Sequence, residues 1–395
     1  MDNICDKKVC TGCAACAEVC PMHCITMVYD EEGYLNPSID NSVCVNCGKC
    51  AKTCPNNSPV PKWGEAEFLQ VWNKDKEVLV KSSSGGFFTA LAQYIFAREG
   101  VVFGVYKDPA TNVLRFDYAE DLAGIDKFRY SKYYQAETGS VYRQVREFIE
   151  AGRLVLFTGT GCQVAGLLNY LGDSYNRDLL ITADPLCHGT PSKKAVDAYI
   201  KDKEKEYKKK IVDYSFRIKP DDGHWYVGGS TRMKLYFEDN TVEIVEQGRD
   251  SFFLAFNENI ILRESCYTCK YCGSKRISDF TMADFWCVKD VPEEQQDYGV
   301  TLLLCNSNRA RNMVRELSDL LVIEEADKAV ALANNGSLTK ANARPRARDG
   351  VYESIDKKGF DRTVIANFKK HYLRLYLEDH IGRDTFKKIR NILHI

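Results

Sequence analysis

The feature that most constrains this chain is a run of four cysteines that occurs twice within its first 55 residues. Each copy has the spacing Cys-x2-Cys-x2-Cys-x3-Cys, and a proline follows at once. The two runs are Cys10, Cys13, Cys16 and Cys20, then Cys44, Cys47, Cys50 and Cys54. Thiolates at this spacing are typical ligands of [4Fe–4S] clusters. The sequence therefore predicts two clusters and the transfer of single electrons.

The doubled run resembles the ligand pattern of bacterial two-cluster ferredoxins. In that pattern the first three thiolates of each run bind one cluster, and the fourth crosses to the other cluster. The predicted ligand sets are Cys10, Cys13, Cys16 and Cys54 for one cluster, and Cys44, Cys47, Cys50 and Cys20 for the other. Structural zinc is the alternative, since thiolates also bind zinc. Zinc sites favour two separated CxxC pairs, so the compact runs favour clusters.

Composition limits the remaining functions. The chain has 17 cysteines and begins MDNICDKKVC, which has no apolar core segment of a signal peptide. We therefore expect a cytoplasmic protein whose cysteines serve metal or redox chemistry. No run of apolar residues is long enough to cross a bilayer, so no transmembrane segment is expected. The formal net charge of -1 argues against a nucleic-acid partner.

The chain divides into four predicted segments. Residues 1–58 form the two-cluster ferredoxin-like domain, and the proline-containing stretch NNSPVPKWGE links it to the rest. Alternating strand and helix patterns across residues 65–150 and 151–330 predict a mixed α/β core. Residues 331–395 are predicted to form a basic helical tail. That tail is either a solvated helical face or a surface for an acidic partner or anionic lipid.

Six motifs follow one another in order through the central segments. They are KSSSGGFFTALA (81–92), RYSKYY (129–134), FTGTGCQVAGL (157–167), LCHGTPS (186–192), FRIKPDDGHW (216–225) and CYTCKYCGSKRISDFTMADFW (266–286). Together they resemble the coenzyme F420 hydrogenase/dehydrogenase beta-subunit family over roughly residues 65–330. A ferredoxin-like module is a common N-terminal attachment in that family. The resemblance implies a mixed-sheet domain that binds FAD and one further [4Fe–4S] cluster.

The implied ligands of the third cluster are dispersed along the chain: Cys162, Cys187, Cys266 and Cys269. Four thiolates from distant loops can converge on one cubane. A competing local set is Cys266, Cys269, Cys272 and Cys287, which could bind zinc or a cluster alone. The sequence departs from the family pattern at Gly161, where proline is usual, and at Cys287, where glycine is usual. We expect the first change to loosen a turn and the second to add a thiol near the cluster.

Three segments are candidates for contact with FAD. Ser83, Ser84, Gly85 and Gly86 precede an amphipathic helix whose free N–H groups suit a pyrophosphate. The other two segments contribute Arg129, Ser131, Lys132 and Tyr133, then Thr158, Gly159 and Thr160. Without the resemblance, the first segment is an ordinary helix cap and the second a surface stretch with extended cationic side chains.

The candidate catalytic groups are Lys132 and His224. A histidine titrates near neutrality, so His224 suits proton donation or substrate contact. His188 is expected only to hydrogen-bond a neighbour. The predicted function is an iron–sulfur flavoprotein oxidoreductase that exchanges electrons with a ferredoxin or redox partner subunit. Its substrate would be coenzyme F420 or a small molecule. The alternative is a non-catalytic electron-relay subunit of a larger redox complex.

Overall fold

The N-terminal module consists of two short helices and one hairpin arranged around cysteines. In the computed structural model, which describes residues 3–219, 232–288 and 290–382, this module comes first. Its elements are α1 (Ala15–Glu18), β1 (Ile25–Tyr29), β2 (Leu35–Ile39) and α2 (Lys49–Thr53), with β1 and β2 antiparallel. The buried core of the module consists of Ile4, Cys16, Cys20, Cys24, Ile25, Cys50 and Cys54. Cysteines therefore supply most of the buried core of this module.

An eight-stranded mixed sheet organises the rest of the chain. In chain order its strands are β3 (Glu67–Asn73), β4 (Val101–Lys107), β5 (Leu114–Ala119), β6 (Val155–Thr158), β7 (Leu180–Pro185), β11 (Phe280–Asp284), β12 (Thr301–Cys305) and β13 (Leu321–Glu325). A separate three-stranded antiparallel sheet contains β8 (Ile211–Ile218), β9 (Arg232–Phe237) and β10 (Val242–Glu246). The predicted mixed α/β fold with a small N-terminal module and C-terminal helices is confirmed.

The order of strands in the large sheet is β13-β3-β12-β11-β7-β6-β4-β5. The four strands β4, β6, β7 and β11 run parallel, whereas the outer pairings are antiparallel. The parallel strands are mostly buried apolar runs, as expected when helices cover both faces. Their carboxyl ends lie at one edge of the sheet, which is where open α/β sheets usually bind ligands.

The helices that follow the N-terminal module pack on the two sheets. They are α3 (Lys76–Val80), α4 (Phe87–Phe96), α5 (Val141–Glu150), α6 (Gly161–Leu171), α7 (Lys193–Tyr207), α8 (Ser251–Asn257), α9 (Glu293–Tyr298), α10 (Asn308–Glu316), α11 (Lys328–Asn334), α12 (Val351–Lys358), α13 (Phe360–Asn367) and α14 (Lys369–Ile381). Helices α4 and α10 pack on one face, and α5 and α6 on the other. The small sheet packs with α7, α8, α12 and α13 in a third core. Across the described ranges, no helix combines the length and apolar character needed to span a membrane.

The N-terminal module docks on α5 and α6. The hydroxyl of Tyr142 lies 2.9 Å from the carbonyl oxygen of Cys13. The carboxylate of Glu18 accepts hydrogen bonds from the backbone N–H groups of Tyr142 and Arg143. From α6, the amide of Asn169 donates to the carbonyl oxygen of Ser58 at 2.7 Å. These polar contacts fix the cysteine-rich module directly against the helix that follows β6.

Candidate functional site

The first predicted cluster set gathers where the N-terminal module meets the rest of the chain. Cys16 lies in α1, and Cys54 directly follows α2. Burial, with smaller contributions from the charges of neighbouring thiols that include Cys10 and Cys54, raises the pKa of the Cys13 thiol to about 12. The structure thus places all four predicted residues of this set close together.

The second predicted set lies nearer the solvent. A surface depression is lined by all four of its cysteines, Cys20, Cys44, Cys47 and Cys50. Cys47 is exposed and Cys44 is partly exposed, while the other two are buried. The Sγ atom of Cys24 lies 3.4 Å from that of Cys20, so an additional thiol borders this set.

The structure does not gather the cysteines of either set around one point. In the part of the chain that the structure describes, no three His, Cys, Asp or Glu side chains are positioned to hold a single metal ion. A tetrahedral zinc site brings its ligands to one ion, whereas a cubane spreads four thiolates over four irons. The preference for clusters over zinc rests on the sequence spacing of the two runs.

The four dispersed cysteines converge at the carboxyl edge of the parallel strands. Cys162 lies in the first turn of α6 just after β6, and Cys187 follows β7 by two residues. Cys266 and Cys269 come from the loop that precedes β11. Parallel strands end at the same edge, which places Cys162 and Cys187 together. The segment before β11 brings Cys266 and Cys269 to the same cavity.

The electrostatics of these thiols indicate that they are neighbours. Burial raises the pKa of Cys162 to about 11 and that of Cys266 to about 12. Burial also raises the pKa of Cys187 well above its usual value, and the charges of Cys266, Cys162 and Cys269 add to that rise. Each of these thiolates destabilises the others, so positive charge among them would stabilise the whole set.

These four cysteines line one large cavity of about 780 Å³. Ser83, Ser84 and Gly86 also line it, at the N-terminus of the ten-residue helix α4. No side chain caps this helix, and the buried hydroxyl of Ser83 has no hydrogen-bond partner among the described residues. Gly85 instead packs against the sheet, where its N–H donates to the hydroxyl of Thr301 at 2.9 Å.

The predicted cationic and aromatic segment lines the same cavity. Arg129, Ser131, Lys132 and Tyr133 are all among its walls. The guanidinium of Arg129 donates to the hydroxyl of Thr89 in α4 at 2.9 Å, which joins this segment to the helix start. The ring of Tyr133 packs edge-on against Phe256, with centroids 5.0 Å apart.

Thr158, Gly159 and Thr160 connect the cavity wall to the first core cysteine. The hydroxyl of Thr160 lies 3.2 Å from the Sγ atom of Cys162. Thr160 also begins a capping box with Gln163 that fixes the start of α6. These residues therefore hold a thiol and a cavity wall in one rigid turn.

Of the two histidines considered in the sequence, the structure describes one. His224, a candidate catalytic residue, lies outside the described residues. His188 lines the cavity, and its ring stacks on Phe256 with centroids 4.7 Å apart. Burial lowers the pKa of His188, so its ring is neutral near pH 7, and its Nε2 atom has no partner among the described residues. The expected role, a hydrogen bond to a neighbouring residue, does not explain why this buried nitrogen has no partner among the described residues.

Comparison with known families assigns both parts of the chain. Residues 152–330 match the family model for the C terminus of the coenzyme F420 hydrogenase/dehydrogenase beta subunit, and residues 9–58 match the 4Fe-4S dicluster domain. The chain carries this beta-subunit domain behind a dicluster domain. One solved structure, titled "Xenon derivatization of the F420-reducing [NiFe] hydrogenase complex from Methanosarcina barkeri", contains a chain of 15% sequence identity and a TM-score of 0.46. The similarity covers 71% of this chain and 90% of that chain. No curated protein matches.

The two positions that depart from the family pattern, Gly161 and Cys287, differ in how they are packed in the beta-subunit domain. A Cβ atom at Gly161 would lie 2.8 Å from the Cβ atom of Tyr271, so this turn is tightly packed rather than loosened. Cys287 is exposed, has a φ of 61° and is not among the residues that line the cavity. Of the local ligand alternative, Cys272 lies beside Cys269 and donates to its carbonyl oxygen at 3.0 Å.

Sequence reasoning missed an ion pair in the wall of the beta-subunit domain. Arg217 donates to the carboxylate of Asp284 at 2.6 Å, and its guanidinium lies 5.6 Å from the ring centroid of Trp286. Arg217 has a φ of 54° beside an irregular stretch of β8. The signal was present, because Arg217 and Asp284 fall within two of the six ordered motifs.

Proposed function

We propose that this chain is an iron–sulfur flavoprotein oxidoreductase. The observation that supports this most strongly is the composition of the cavity of about 780 Å³. One part of its wall holds the four core thiols, and another holds the start of α4 and the segment 129–133. A cluster and a flavin bound there would lie in one enclosed space. Electron transfer between them requires such proximity.

The four core cysteines fit a third [4Fe–4S] cluster. Their thiols line one cavity, and burial, with added repulsion from the charges of the other three, raises the pKa of Cys187. Iron would relieve that repulsion, since metal binding favours the deprotonated thiols. Bound there, the cluster would carry single electrons.

The rest of the cavity fits FAD. Its volume is in the range of organic cofactor sites. The uncapped start of α4 and the hydroxyl of Ser83 offer donors to a pyrophosphate. The cations Arg129 and Lys132 favour negative charge in this part of the cavity. A flavin would supply the conversion between single electrons and electron pairs.

The positions of the cysteine sets suggest a route from the surface to the cavity. The set with Cys47 faces solvent, whereas the set with Cys13 packs against α6. A Cβ atom at Gly166 of α6 would lie only 3.1 Å from the Sγ atom of Cys13. The charge of Cys162, four residues earlier in α6, raises the pKa of Cys13. We call Cys10, Cys13, Cys16 and Cys54 the inner set, Cys20, Cys44, Cys47 and Cys50 the solvent-facing set, and Cys162, Cys187, Cys266 and Cys269 the core set. The inner set thus lies between the solvent-facing set and the core set. A ferredoxin or redox partner subunit would exchange electrons at the surface.

Anaerobic reconstitution with iron, sulfide and FAD tests this proposal. Three cubanes predict about twelve irons and about one FAD per chain. Substituting Cys162→Ser or Cys187→Ser should remove about four irons, because each deletes one ligand of the core cluster. Cys287→Ser is the matched control and should keep the full iron content. Recovery of zinc alone, or of no flavin, would contradict the proposal.

The electron acceptor is either coenzyme F420 or a small metabolite. The beta-subunit family match supports coenzyme F420 as the first substrate to assay. Reduction of the deazaflavin by the reconstituted chain, measured beside a panel of metabolites, would distinguish the two. Turnover of metabolites without turnover of coenzyme F420 would show that the acceptor is a small metabolite.

A relay subunit is the second candidate function. The exposed apolar side chains of Met22, Val43 and Val45 near the solvent-facing cysteine set favour contact with another protein. A relay would pass electrons to a partner that performs the chemistry. If the reconstituted chain reduces no acceptor alone but restores activity to a depleted redox complex, this function replaces the first.

A further inference from the structure

Arg263 is buried between the N-terminal module and the beta-subunit domain, with 4% of its surface exposed. Its Nε atom donates to the carbonyl oxygen of Cys10 at 2.7 Å. Its Nη2 atom donates to the carbonyl oxygen of Leu35 at 2.9 Å and to the side-chain oxygen of Asn36 at 2.8 Å. One side chain therefore holds both the first cysteine run and the β2 strand of the module.

The backbone of Arg263 is tied to the core cysteines. Its N–H donates to the carbonyl oxygen of Thr190 at 3.0 Å, three residues beyond Cys187. Its carbonyl oxygen accepts a hydrogen bond of 2.9 Å from the N–H of Cys266. A single residue thus connects Cys10 of the inner set to two cysteines of the core set.

The charge of Arg263 is not balanced by a carboxylate. Its remaining side-chain hydrogen bond is to the amide oxygen of Gln135 at 3.0 Å, and its guanidinium also lies 5.3 Å from the ring centroid of Tyr34. No carboxylate of the described residues forms an ion pair with it. Other buried arginines do have such partners, since Arg348 pairs with Glu32 and Arg276 with Asp184. A buried unpaired cation is costly, so this position requires negative charge nearby.

The nearest candidates for that negative charge are thiolates on both sides. Arg263 lines the same cavity as Cys162 and Cys266 of the core set. Its Nε atom donates to the carbonyl oxygen of Cys10, which belongs to the inner set. The guanidinium therefore lies at the boundary between the two ligand sets.

We propose that Arg263 is a positioning residue that docks the inner and core clusters against each other and raises the reduction potential of both. This inference rests on the proposed function, because it requires both clusters. A thiolate-bound cubane is net negative and gains one more negative charge on reduction. A fixed cation therefore stabilises the reduced form more than the oxidised form.

The test is an EPR-monitored potentiometric titration of reconstituted wild type, Arg263→Gln and Arg263→Lys. In Arg263→Gln, two of the three midpoint potentials should fall, each by the equivalent of about tenfold in the reduction equilibrium, which is about 59 mV for one electron. The third potential, from the set with Cys47, should stay unchanged. Arg263→Lys keeps the charge, so its shifts in the same two potentials should be smaller.

Arg348→Gln is the matched control. Arg348 is another buried arginine at the module boundary, but it contacts Glu32 and the carbonyl oxygen of Leu262 instead of a cysteine. It should leave all three potentials in place. Three unchanged potentials in fully loaded Arg263→Gln, or an equal shift of all three, would overturn the inference. If Arg263→Gln does not assemble, Arg263→Lys carries the test: a fall of about 59 mV or more in the same two potentials, despite the retained charge, would overturn it. A wild type that binds fewer than about twelve irons contradicts the proposed function instead.

Discussion

Lys132 shows how one residue combines a structural and an electrostatic role. Its ammonium donates to the carbonyl oxygens of Phe128, Arg129 and Tyr130 at 2.8 to 3.2 Å. Tyr130 has a φ of 66°, so these bonds stabilise a loop conformation that a non-glycine residue rarely adopts. Burial, with a smaller effect from Lys107, lowers the pKa of Lys132 to about 7. The loop therefore holds a cation beside the cavity at a cost in stability.

That lowered pKa predicts a specific pH dependence of folding. Between about pH 7 and the usual lysine value of 10.5, the unfolded chain binds more protons than the folded chain. The contribution of Lys132 to stability must therefore rise with pH in that window, and its full penalty remains below pH 7. We expect urea unfolding of the reduced apoprotein to show this. From about pH 6.5 to about pH 9, the free energy of unfolding of wild type should increase relative to that of Lys132→Met.

The half-exposed Lys127, which pairs with Asp117, provides the control. The gain with pH should be larger for the Lys132→Met comparison than for the Lys127→Met comparison. An equal gain in the two comparisons would contradict the effect of burial on Lys132.

Helix α6 is the element on which the site depends most. Its first turn carries Cys162, its start is fixed by the Thr160 capping box, and its middle faces the N-terminal module. At that middle position, a Cβ atom on Gly166 would lie 2.7 Å from the hydroxyl of Tyr142 and 3.1 Å from the Sγ atom of Cys13. Only a glycine allows the inner cysteine set to approach the helix this closely.

Gly166→Ala should therefore destabilise the docked module. Overpacking of this kind costs about 1–3 kcal/mol. The same clash would displace the Tyr142 hydroxyl from the carbonyl oxygens of Cys13 and Gln163, which it now contacts at 2.9 and 3.0 Å. Urea unfolding of the reconstituted protein should show the loss, and magnetic coupling between the inner and core clusters should weaken. Gly64→Ala, where a Cβ atom meets nothing within 4 Å, should change neither measurement. A Gly166→Ala variant as stable as Gly64→Ala would show that the module shifts freely.

At the scale of the whole molecule, the sequence predicts the buried central strands of the large sheet well and its two edge strands poorly. The apolar runs at β3, β6, β11 and β12 predict strands within about a residue of the observed bounds. The strands β5, β8 and β13 are not predicted. Two of them have the sequences LRFDYA and LVIEE, in which polar residues interrupt the apolar pattern. Both lie at the edges of the sheet, where one side of the strand has no neighbour.

The candidate site is predictable only where residue type carries the chemistry. The cysteines can be named because iron requires thiolates, and the Ser-Gly segment because it precedes a helix. Arg263 cannot be found in this way, since it contacts Cys10 across 253 residues of sequence. Arg263 is important because the inner and core cysteine sets lie on either side of it in the fold. A single sequence does not record that arrangement. Arg217 and Asp284 differ, because both fall within the ordered motifs, but their pairing across 67 residues is likewise not recorded in a single sequence.

The arrangement of the whole molecule makes the exposed face of the N-terminal module the place where a protein donor would deliver electrons. The core cysteines line the cavity, whereas the depression that contains Cys47 opens beside Val45, which is 59% exposed.

Val45→Glu would place a charge in the apolar contact and should slow reduction by a reduced ferredoxin by about tenfold, a loss of about 1.4 kcal/mol. Reduction by dithionite and the iron content should not change. Val242→Glu alters an exposed valine on the distant β10 strand and should leave the ferredoxin rate intact. Equal slowing by both variants would place the docking surface elsewhere.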